Sequence, residues 1–325
     1  MVKTIYVLSD YFKASDFMKH LSENTYNVVN DIQSVKHVDF VYIDHTTDRK
    51  IKNYIYHNLK YDITNHVELD NQFVDKAILH ELVKQRSKKL YDKYFMPQYK
   101  LDKHFNQLKN LDKTKMYIVK PVGGFAGIGI KVFNGTSGIK EYITKYNNKS
   151  SKKKSWVIQH YIDDPMLLKG RKFHMRVMVL LYGDNVYFYR DSIVFPAKKL
   201  FTNDNLDEEI HDTHGTLTES HEKVMFPYDV KNIWNVTKIH SDMVNLLTWL
   251  KKIGIFKNKC YKDNKKCFEF YGMDIMMDSQ QNIKCLEINY KPGLTNMLKR
   301  MPYLIKGVIE LVIENKDTGK GYCKI

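Results

Sequence analysis

The sequence predicts an α+β protein in which two lobes built on antiparallel sheets enclose a cleft, preceded by a small N-terminal α/β lobe. A chain of 325 residues is long enough for about two packed lobes. Its middle and end are rich in strand-like runs, and a glycine-rich segment joins two of these runs. We place the three lobes at residues 1–65, 66–155 and 156–325.

The first hundred residues alternate strand and helix patterns. Residues 4–8 and 38–43 are short apolar runs, typical of buried strands. Residues 15–22 predict a helix with Ser15 as its N-cap. Residues 70–89 carry apolar side chains at helical spacing and predict the clearest helix of this region. This alternation is the basis for the small α/β lobe.

The rest of the chain predicts hairpins with few helices. The expected strands are 116–119, 129–133, 156–159, 173–181, 186–189, 268–277 and 283–289. Residues 238–253 and 303–315 predict helices. Residues 200–230 have weak periodicity and predict a long loop.

The charge balance favours an acidic partner. Lys and Arg number 52 against 37 Asp and Glu, a formal net charge of +15. Such a surface attracts nucleic acid, anionic membranes, nucleotide phosphates or acidic polypeptides, and charge alone does not choose among them. The 23 tyrosines would also suit nucleic acid, but no basic–aromatic motif of a single-strand platform is present.

The cysteines and the apolar runs predict a cytoplasmic location. The four cysteines form no C-x-x-C pair, which predicts free thiols in a reducing compartment. No secretory signal is visible, and no stretch approaches the ~20 apolar residues that span a bilayer. We therefore expect no membrane partner.

A glycine-rich segment, YIVKPVGGFAGIGIKVF at residues 117–133, is the first chemical motif. Gly123, Gly124, Gly127 and Gly129 would let backbone N–H groups approach phosphate oxygens, and Lys120 would add a point charge. No G-K-[ST] closes the segment and no G-x-G-x-x-G opens a helix, which excludes a Walker loop and a dinucleotide fingerprint. The alternative interpretation is a tight hairpin with a lysine there by chance.

An acidic motif lies near the end, in FEFYGMDIMMDSQQNIKCLEINYKPGL at residues 268–294. Glu287 and Asn289 are two apart on a predicted strand and point to one face, whereas Leu286 and Ile288 point to the other. If this strand pairs with the preceding one, Asp274 joins them as a third oxygen ligand. Such ligands suit Mg²⁺. The alternative interpretation is an exposed Glu287 on an alternating strand.

A basic strand lies between these motifs. Lys172, His174 and Arg176 alternate with apolar residues and therefore share one face, and Arg190 closes the next strand. Arginines so placed could clamp a phosphoryl group or a carboxylate. The alternative interpretation is an ordinary solvated basic face.

These motifs together resemble the tubulin–tyrosine ligase-like family of the ATP-grasp superfamily, over most of residues 60–315. The resemblance rests on FMPQYKL, YIVKPVGGFAGIG, WVIQHYIDDPMLLKGRKFHMRV, the Tyr189-Arg190 pair, FEFYGMDIMMD and LEINYKPGL. It implies an ATP-grasp fold, in which the nucleotide is held between two antiparallel-sheet lobes.

The resemblance also implies residue roles. ATP would be bound by the glycine segment and by Lys76, Lys120, Gln159, His160, Tyr161, Ile162, Lys172 and His174. Mg²⁺ would be held by Asp274, Glu287 and Asn289, and the reaction would depend on Arg176, Arg190 and Glu287. His174 stands where the family has an aspartate, and His211-Asp212-Thr213-His214 only partly matches the family's H-L-T-N motif.

The resemblance implies an ATP-dependent carboxylate–amine ligase. It would add an amino acid, glutamate or tyrosine first among the candidates, to a carboxylate of a protein such as an acidic tubulin-like tail, through an acyl phosphate. Polyglutamylation is one activity of this kind. The alternatives are a ligase with a non-tubulin peptide or small-molecule acceptor, a non-catalytic nucleotide-binding relative, and a nucleic-acid-binding protein.

Overall fold

The computed structural model describes most of the chain in an α+β arrangement. The described residues are 2–8, 26–29, 31–43, 49–65, 71–123, 127–150, 154–213, 224–256, 266–290, 292, 301, 303–317, 319 and 321–325. Within them lie a sheet of eleven strands and a sheet of four strands. The predicted α+β class, with a small N-terminal α/β part, is confirmed. The predicted helix at 15–22 lies outside the described residues.

The strands are, in chain order, β1 (Lys3–Leu8), β2 (Tyr26–Val29), β3 (His37–Ile43), β4 (Lys60–Asn65), β5 (Gln98–Lys100), β6 (Met116–Pro121), β7 (Lys131–Asn134), β8 (Trp156–His160), β9 (Leu167–Leu168), β10 (Arg171–Tyr182), β11 (Asn185–Pro196), β12 (Val224–Phe226), β13 (Lys266–Met277), β14 (Ile283–Tyr290) and β15 (Tyr322–Lys324). The helices are α1 (Arg49–His57), α2 (Lys76–Arg86), α3 (Lys88–Tyr94), α4 (Ile139–Lys149), α5 (Glu208–His211), α6 (Val236–Lys252) and α7 (Tyr303–Val308). A π-helix, Ile309–Ile313, follows α7.

The large sheet joins the N-terminal strands to the C-terminal ones. Strands β2, β1, β3 and β4 are parallel, and the start of β13 pairs in parallel with β4. The remainder of β13 pairs antiparallel with β10 and with β14. The acidic strand β14 and the N-terminal strands are therefore attached to the same central strand, β13.

Alternate residues of strand β10 belong to two different hydrophobic cores. One of its faces packs under α2, α3 and α6 and carries Phe173, Met175, Val177, Val179 and Leu181. Its opposite face is polar at Lys172, His174 and Arg176, and then apolar at Met178, Leu180 and Tyr182, where α7 covers it. The polar half lines a cleft toward the small sheet, and the Lys172 and His174 side chains are buried there.

The small sheet, ordered β5-β8-β6-β7, forms the other side of this cleft. One of its faces is covered by α4 through a core that includes Val119, Ile143 and Ile158. Lys120 and Gln159 each follow one of these buried residues along a strand, so they point to the opposite face. The α2–α3 segment packs into the large-sheet core instead, and the predicted lobe boundaries stay predictions.

Several local predictions differ from the structure. The helix predicted at 70–89 is interrupted, because Asp75 accepts hydrogen bonds from the first turn of α2, and Ser87 ends α2 and caps α3. Helix α4 was not predicted, since only Ile139 and Ile143 are its buried apolar residues. The predicted loop at 200–230 contains α5 and β12 among its described residues.

Membrane spans and cysteines were both considered from the composition. No helix in the described part of the chain is long and apolar enough to cross a membrane. Cys267 is disulfide-bonded, whereas Cys285 and Cys323 are free. The prediction of four free thiols is therefore wrong at Cys267, because the absence of a C-x-x-C pair does not exclude a disulfide at another spacing.

Helix α6 provides a test of the core. Leu246 is fully buried against the large sheet, so we expect Leu246→Ala to lower the free energy of unfolding by about 2–5 kcal/mol through lost packing and a cavity. Urea unfolding would measure this change. The neighbouring exposed Asn245→Ala is the control, and an equal loss in both variants would contradict the assigned burial.

Candidate active site

Three aligned strands bring the predicted acidic residues together. Asp274 of β13 lies opposite Arg176 of β10 on one side and opposite Glu287 of β14 on the other. Arg176 pairs with the Asp274 carboxylate through two N–H groups, one of them Nη2 at 2.8 Å. The amide Nδ2 of Asn289 lies 3.0 Å from Asp274 Oδ2 and 2.9 Å from Glu287 Oε1. The predicted ligand set is thus a contiguous cluster.

A β-bulge aligns this cluster. The pairing passes from Asp274–Glu287 directly to Ile275–Cys285, which leaves Leu286 as the extra residue. The prediction that Leu286 shares the apolar face with Ile288 is therefore wrong: Cys285 takes that core position, while Ile288 is buried as expected. The bulge reverses the alternation and could not be read from the residue pattern.

Lys76, the first residue of α2, completes the cluster. Its Nζ lies 3.0 Å from Glu287 Oε2. Burial favours the neutral form of Glu287, but Lys76, Lys120 and the Asn289 amide outweigh it and hold the pKa of Glu287 at about 2. Glu287 is therefore ionised across the physiological range, and the alternative of an exposed surface residue does not hold.

The donor set fits a hard divalent cation. Within the described ranges no group of three or more His, Cys, Asp or Glu side chains could hold a metal, and this cluster has two carboxylates and one amide. The Asn289 amide nitrogen lies between the two carboxylates. For a cation to bind here, the Asn289 amide would present its oxygen in place of its nitrogen, and carboxylate and amide oxygens are the ligand type that Mg²⁺ prefers.

Two buried lysines lie near each other on different sheets, and one of them, Lys120, also lies near this cluster. Burial lowers the pKa of Lys120 to about 8, with Glu287 opposing that shift and Lys76 adding to it. Burial, together with the nearby charge of Lys120, lowers the pKa of Lys172 to about 7, and Asp212 opposes this shift. Lys172 lies against the Tyr161 ring, with Nζ 4.2 Å from its centroid. Because burial outweighs the nearby carboxylates at both lysines, the two desolvated cations favour binding of an anion.

A chain of hydrogen bonds orients Lys120. Two of its members, His80 and Tyr91, were not predicted from the sequence. Lys120 Nζ donates to Gln159 Oε1 at 2.9 Å, and Gln159 Nε2 lies 3.5 Å from His80 Nε2. His80 Nδ1 contacts the Tyr91 hydroxyl at 3.2 Å. Burial lowers the pKa of His80 to about 3, so the neutral ring can accept from Gln159 and turn its carbonyl toward Lys120. Only proximity in the fold reveals His80.

The basic strand and the segment after α5 meet beside Lys172. Tyr161 donates from its hydroxyl to His211 Nδ1 at 2.7 Å, because His211 Nε2–H is directed to the Asn205 carbonyl. His174 Nδ1 lies 2.6 Å from the Thr213 hydroxyl. His211 and Thr213, which match part of the family's H-L-T-N motif, therefore line the cleft beside Lys172 and His174. Ile162 is buried next to Tyr161.

The glycines of the loop differ in the space that surrounds them. Gly123 has φ +72° and open space where a Cβ would be, which suits close approach of a ligand. A Cβ at Gly127 would lie 3.0 Å from Asp212 Oδ1, and one at Gly129 would lie 2.9 Å from the Tyr146 ring. At Gly127 and Gly129, glycine is therefore required because a larger side chain would crowd Asp212 or Tyr146. Gly124 lies outside the described residues.

Two predicted residues lie apart from the cluster. The His160 ring packs edge-on against Tyr117, 5.1 Å between centroids, on the face covered by α4. Arg190 is exposed in the irregular stretch where the β10–β11 register shifts, and its backbone contacts Gly321. Within the described part of the chain, neither side chain contacts the acidic cluster, and their predicted roles stay predictions.

Gly272 is a further residue that the sequence analysis missed. It lies opposite Asn289 on β13, and a Cβ there would lie 2.7 Å from Arg176 Cδ and 3.0 Å from Pro292 Cβ. Only glycine leaves room for the Arg176 side chain to cross the strand toward Asp274. A glycine inside an otherwise bulky strand signals such close approach.

Comparison with known proteins identifies the family. Residues 49–320 match the model of the tubulin–tyrosine ligase family. The chain belongs to this family. The matched range contains the acidic cluster, both buried lysines and the glycine loop, so the resemblance predicted from the motifs is confirmed.

Several curated relatives are similar to this chain at low identity. A probable tubulin–tyrosine ligase of Schizosaccharomyces pombe is 24% identical over 64% of this chain and 60% of its own length. Tubulin glycylase 3C of Tetrahymena thermophila is 27% identical over 62% of this chain and 20% of its own. A probable tubulin polyglutamylase of Caenorhabditis elegans is 26% identical over 58% and 49%. The chain thus spans 60% or less of the length of these three relatives.

The burial of Lys172 predicts a pH-dependent gain in stability on its removal. We expect Lys172→Met to raise the free energy of unfolding by about 1–3 kcal/mol at pH 6, because a buried cation is removed. Between pH 7 and the ordinary lysine value of 10.5 the unfolded chain keeps a proton that the folded protein has lost, so wild-type stability rises with pH and the gain is smaller at pH 9.

Urea unfolding at the two pH values would measure this difference. Lys103→Met, at an exposed position, is the control. A gain that is equal at both pH values, or a loss at pH 6, would speak against a depressed pKa at Lys172.

Proposed function

We propose that this protein is an ATP-dependent ligase that joins the amine of an amino acid to a carboxylate of a protein acceptor. Membership of the tubulin–tyrosine ligase family supports a ligase, and the relatives named above carry tyrosine-ligase, glycylase and polyglutamylase names. The observation that carries the proposal is the pair of buried lysines, Lys120 and Lys172, on facing sheets, with Lys120 near the Asp274–Glu287–Asn289 cluster.

The arrangement suits a nucleoside triphosphate. A polyphosphate placed between the sheets would neutralise the two desolvated lysines, and the glycine loop would cover it from the small-sheet side. When bound, Mg²⁺ would be held by Asp274, Glu287 and Asn289 and would neutralise charge on the terminal phosphates. Tyr161 and Ile162, beside Gln159, would form the adenine pocket.

The proposed reaction has two displacements. An acceptor carboxylate oxygen attacks the γ-phosphorus of ATP, the bond to the β-phosphate oxygen breaks, and ADP leaves an acyl phosphate behind. The amino-acid nitrogen then attacks the acyl carbon, phosphate departs, and the amine proton passes to solvent. Such chemistry requires positioning and charge neutralisation more than a protein nucleophile. Arg176 holds the Asp274 carboxylate in place, and Lys120 and Lys172 spread the developing charge.

The donor and the acceptor form the finer part of the proposal. Glutamate and tyrosine remain the first candidates for the donor, and glycine joins them because relatives named as glycylases match this chain. An acidic protein tail, such as that of tubulin, is the proposed acceptor because the surface is basic.

Glu287→Gln tests the reaction directly. It keeps the size and the Asn289 contact but removes one negative charge from the cluster, so we expect ADP release and ATP-dependent labelling of an acceptor to fall by at least about 10³-fold. Mass spectrometry with ATP, a tubulin-tail peptide and each amino acid in turn would identify the donor. Circular dichroism checks that the variant folds. ADP release at the wild-type rate from a folded variant would contradict the proposed Mg²⁺-binding role of the cluster.

Nucleotide binding should also take up protons. At pH 8 the free protein holds Lys172 mostly neutral and Lys120 about half protonated, given their pKa values of about 7 and about 8. Phosphate oxygens favour the charged forms, so we expect uptake of about one proton per bound nucleotide. Calorimetry in buffers of different ionisation enthalpy measures it.

Lys172→Met is the matched variant for this measurement and should reduce the uptake by more than half. Binding that takes up no proton at pH 8 in the wild-type protein would contradict the placement of the phosphates between the two lysines.

A further inference from the structure

The positive charge of this protein is concentrated in one part of the chain. Residues 84–154 hold 18 Lys and Arg against four Asp and Glu, a net charge of +14 out of the total of +15. Residues 1–65 hold eight of each sign and are neutral. The rest of the chain therefore contributes almost nothing to the net charge.

Much of this charge lies on the outside of the small sheet. The segment between β5 and β6, together with α4, covers the sheet face that points away from the cleft. We call its exposed lysines the basic outer layer: Lys103, Lys109, Lys113, Lys115, Lys140, Lys145 and Lys149. The two parts of the layer are adjacent, since the Gly135 N–H, just before α4, donates to the Lys115 carbonyl at 2.9 Å.

The basic outer layer is not neutralised by the protein. Among the described residues, none of its lysines forms an ion pair within 4.0 Å, whereas Lys76, Lys199 and Lys238 in other parts of the chain do. The nearby carboxylates of Asp102 and Asp112 accept hydrogen bonds from their own turns, and Asp112 offsets only part of the charge of Lys115. A concentrated charge that the fold leaves uncompensated costs self-repulsion and attracts a polyanion.

The chemistry of the layer favours a flexible acidic polypeptide over nucleic acid. All its cations are lysines, which act as point charges and lack the fork of arginine that grips phosphate. The aromatic residues of α4, Tyr142 and Tyr146, pack edge-on against Trp156 and are not presented as faces for base stacking. Carboxylates spread along a mobile chain can meet such a layer in many registers.

We propose that the basic outer layer is the docking surface for the acidic acceptor polypeptide. Docking then occurs on the lobe that covers the nucleotide and not on the neutral N-terminal strands. This inference rests on the proposed function for the identity of the acceptor, but the binding itself needs neither ATP nor catalysis.

A matched pair of charge-reversal variants tests the proposal. The layer variant carries Lys113→Glu, Lys115→Glu and Lys140→Glu, and the control carries Lys36→Glu, Lys60→Glu and Lys231→Glu at exposed positions elsewhere. Both change the net charge by the same amount. Binding of a fluorescent ten-residue glutamate peptide is measured by anisotropy without ATP, at two salt concentrations.

We expect the layer variant to bind the peptide at least tenfold more weakly and the control to lose less than twofold, with ATP affinity by calorimetry unchanged in both. Equal losses in the two variants would mean that net charge alone attracts the peptide, and this overturns the proposal. Absence of peptide binding by the wild type also overturns it. So does a single-stranded DNA ten-mer that binds more tightly than the peptide and depends on the same lysines.

The proposed ligase activity is judged separately. It stands or falls with ADP release and labelling by the wild type and Glu287→Gln, which do not depend on where the acceptor docks. Labelling of an acceptor with equal efficiency by the wild type and the layer variant would overturn the docking surface while leaving the ligase in place.

Discussion

The burial of two lysines on facing sheets is the constraint around which the rest of the site is organised. Lys120 is tied to Gln159 and Lys172 lies on the Tyr161 ring, so each cation is held by groups that orient it without neutralising it. The carboxylates nearest to Lys120 are engaged by other cations, Arg176 and Lys76, and Asp212 offsets the charge of Lys172 only in part. The fold keeps this unfavourable arrangement because the surrounding cores are large and apolar.

The acidic cluster depends on backbone features as much as on its carboxylates. The bulge at Leu286 turns Glu287 toward Asp274 while Cys285 returns the strand to the core. Gly272 leaves the space through which Arg176 reaches Asp274. Substitution at either position would act on the geometry of the cluster without removing any of its charges.

The sequence was informative where a residue pattern maps directly onto one strand. The alternation in β10 placed Lys172, His174 and Arg176 on one face, and the spacing of Glu287 and Asn289 anticipated their contact. The sequence was not informative about residues whose roles depend on tertiary contacts. The roles of His80, Tyr91 and Gly272 arise from residues distant in the chain, and α4 has too few apolar residues for a clear helical pattern. Arg190 is exposed because an irregular strand pairing turns it away.

The attachment of the N-terminal strands to β13 places them in the same sheet as the acidic cluster. Lys172 and the acidic cluster belong to the large sheet, whereas Lys120 belongs to the small one. The two lysines disfavour each other's charged forms across the two sheets, and a polyanion between them would favour both charged forms. A ligand that contacts both lysines would therefore hold the two sheets to each other through charges that belong to different sheets.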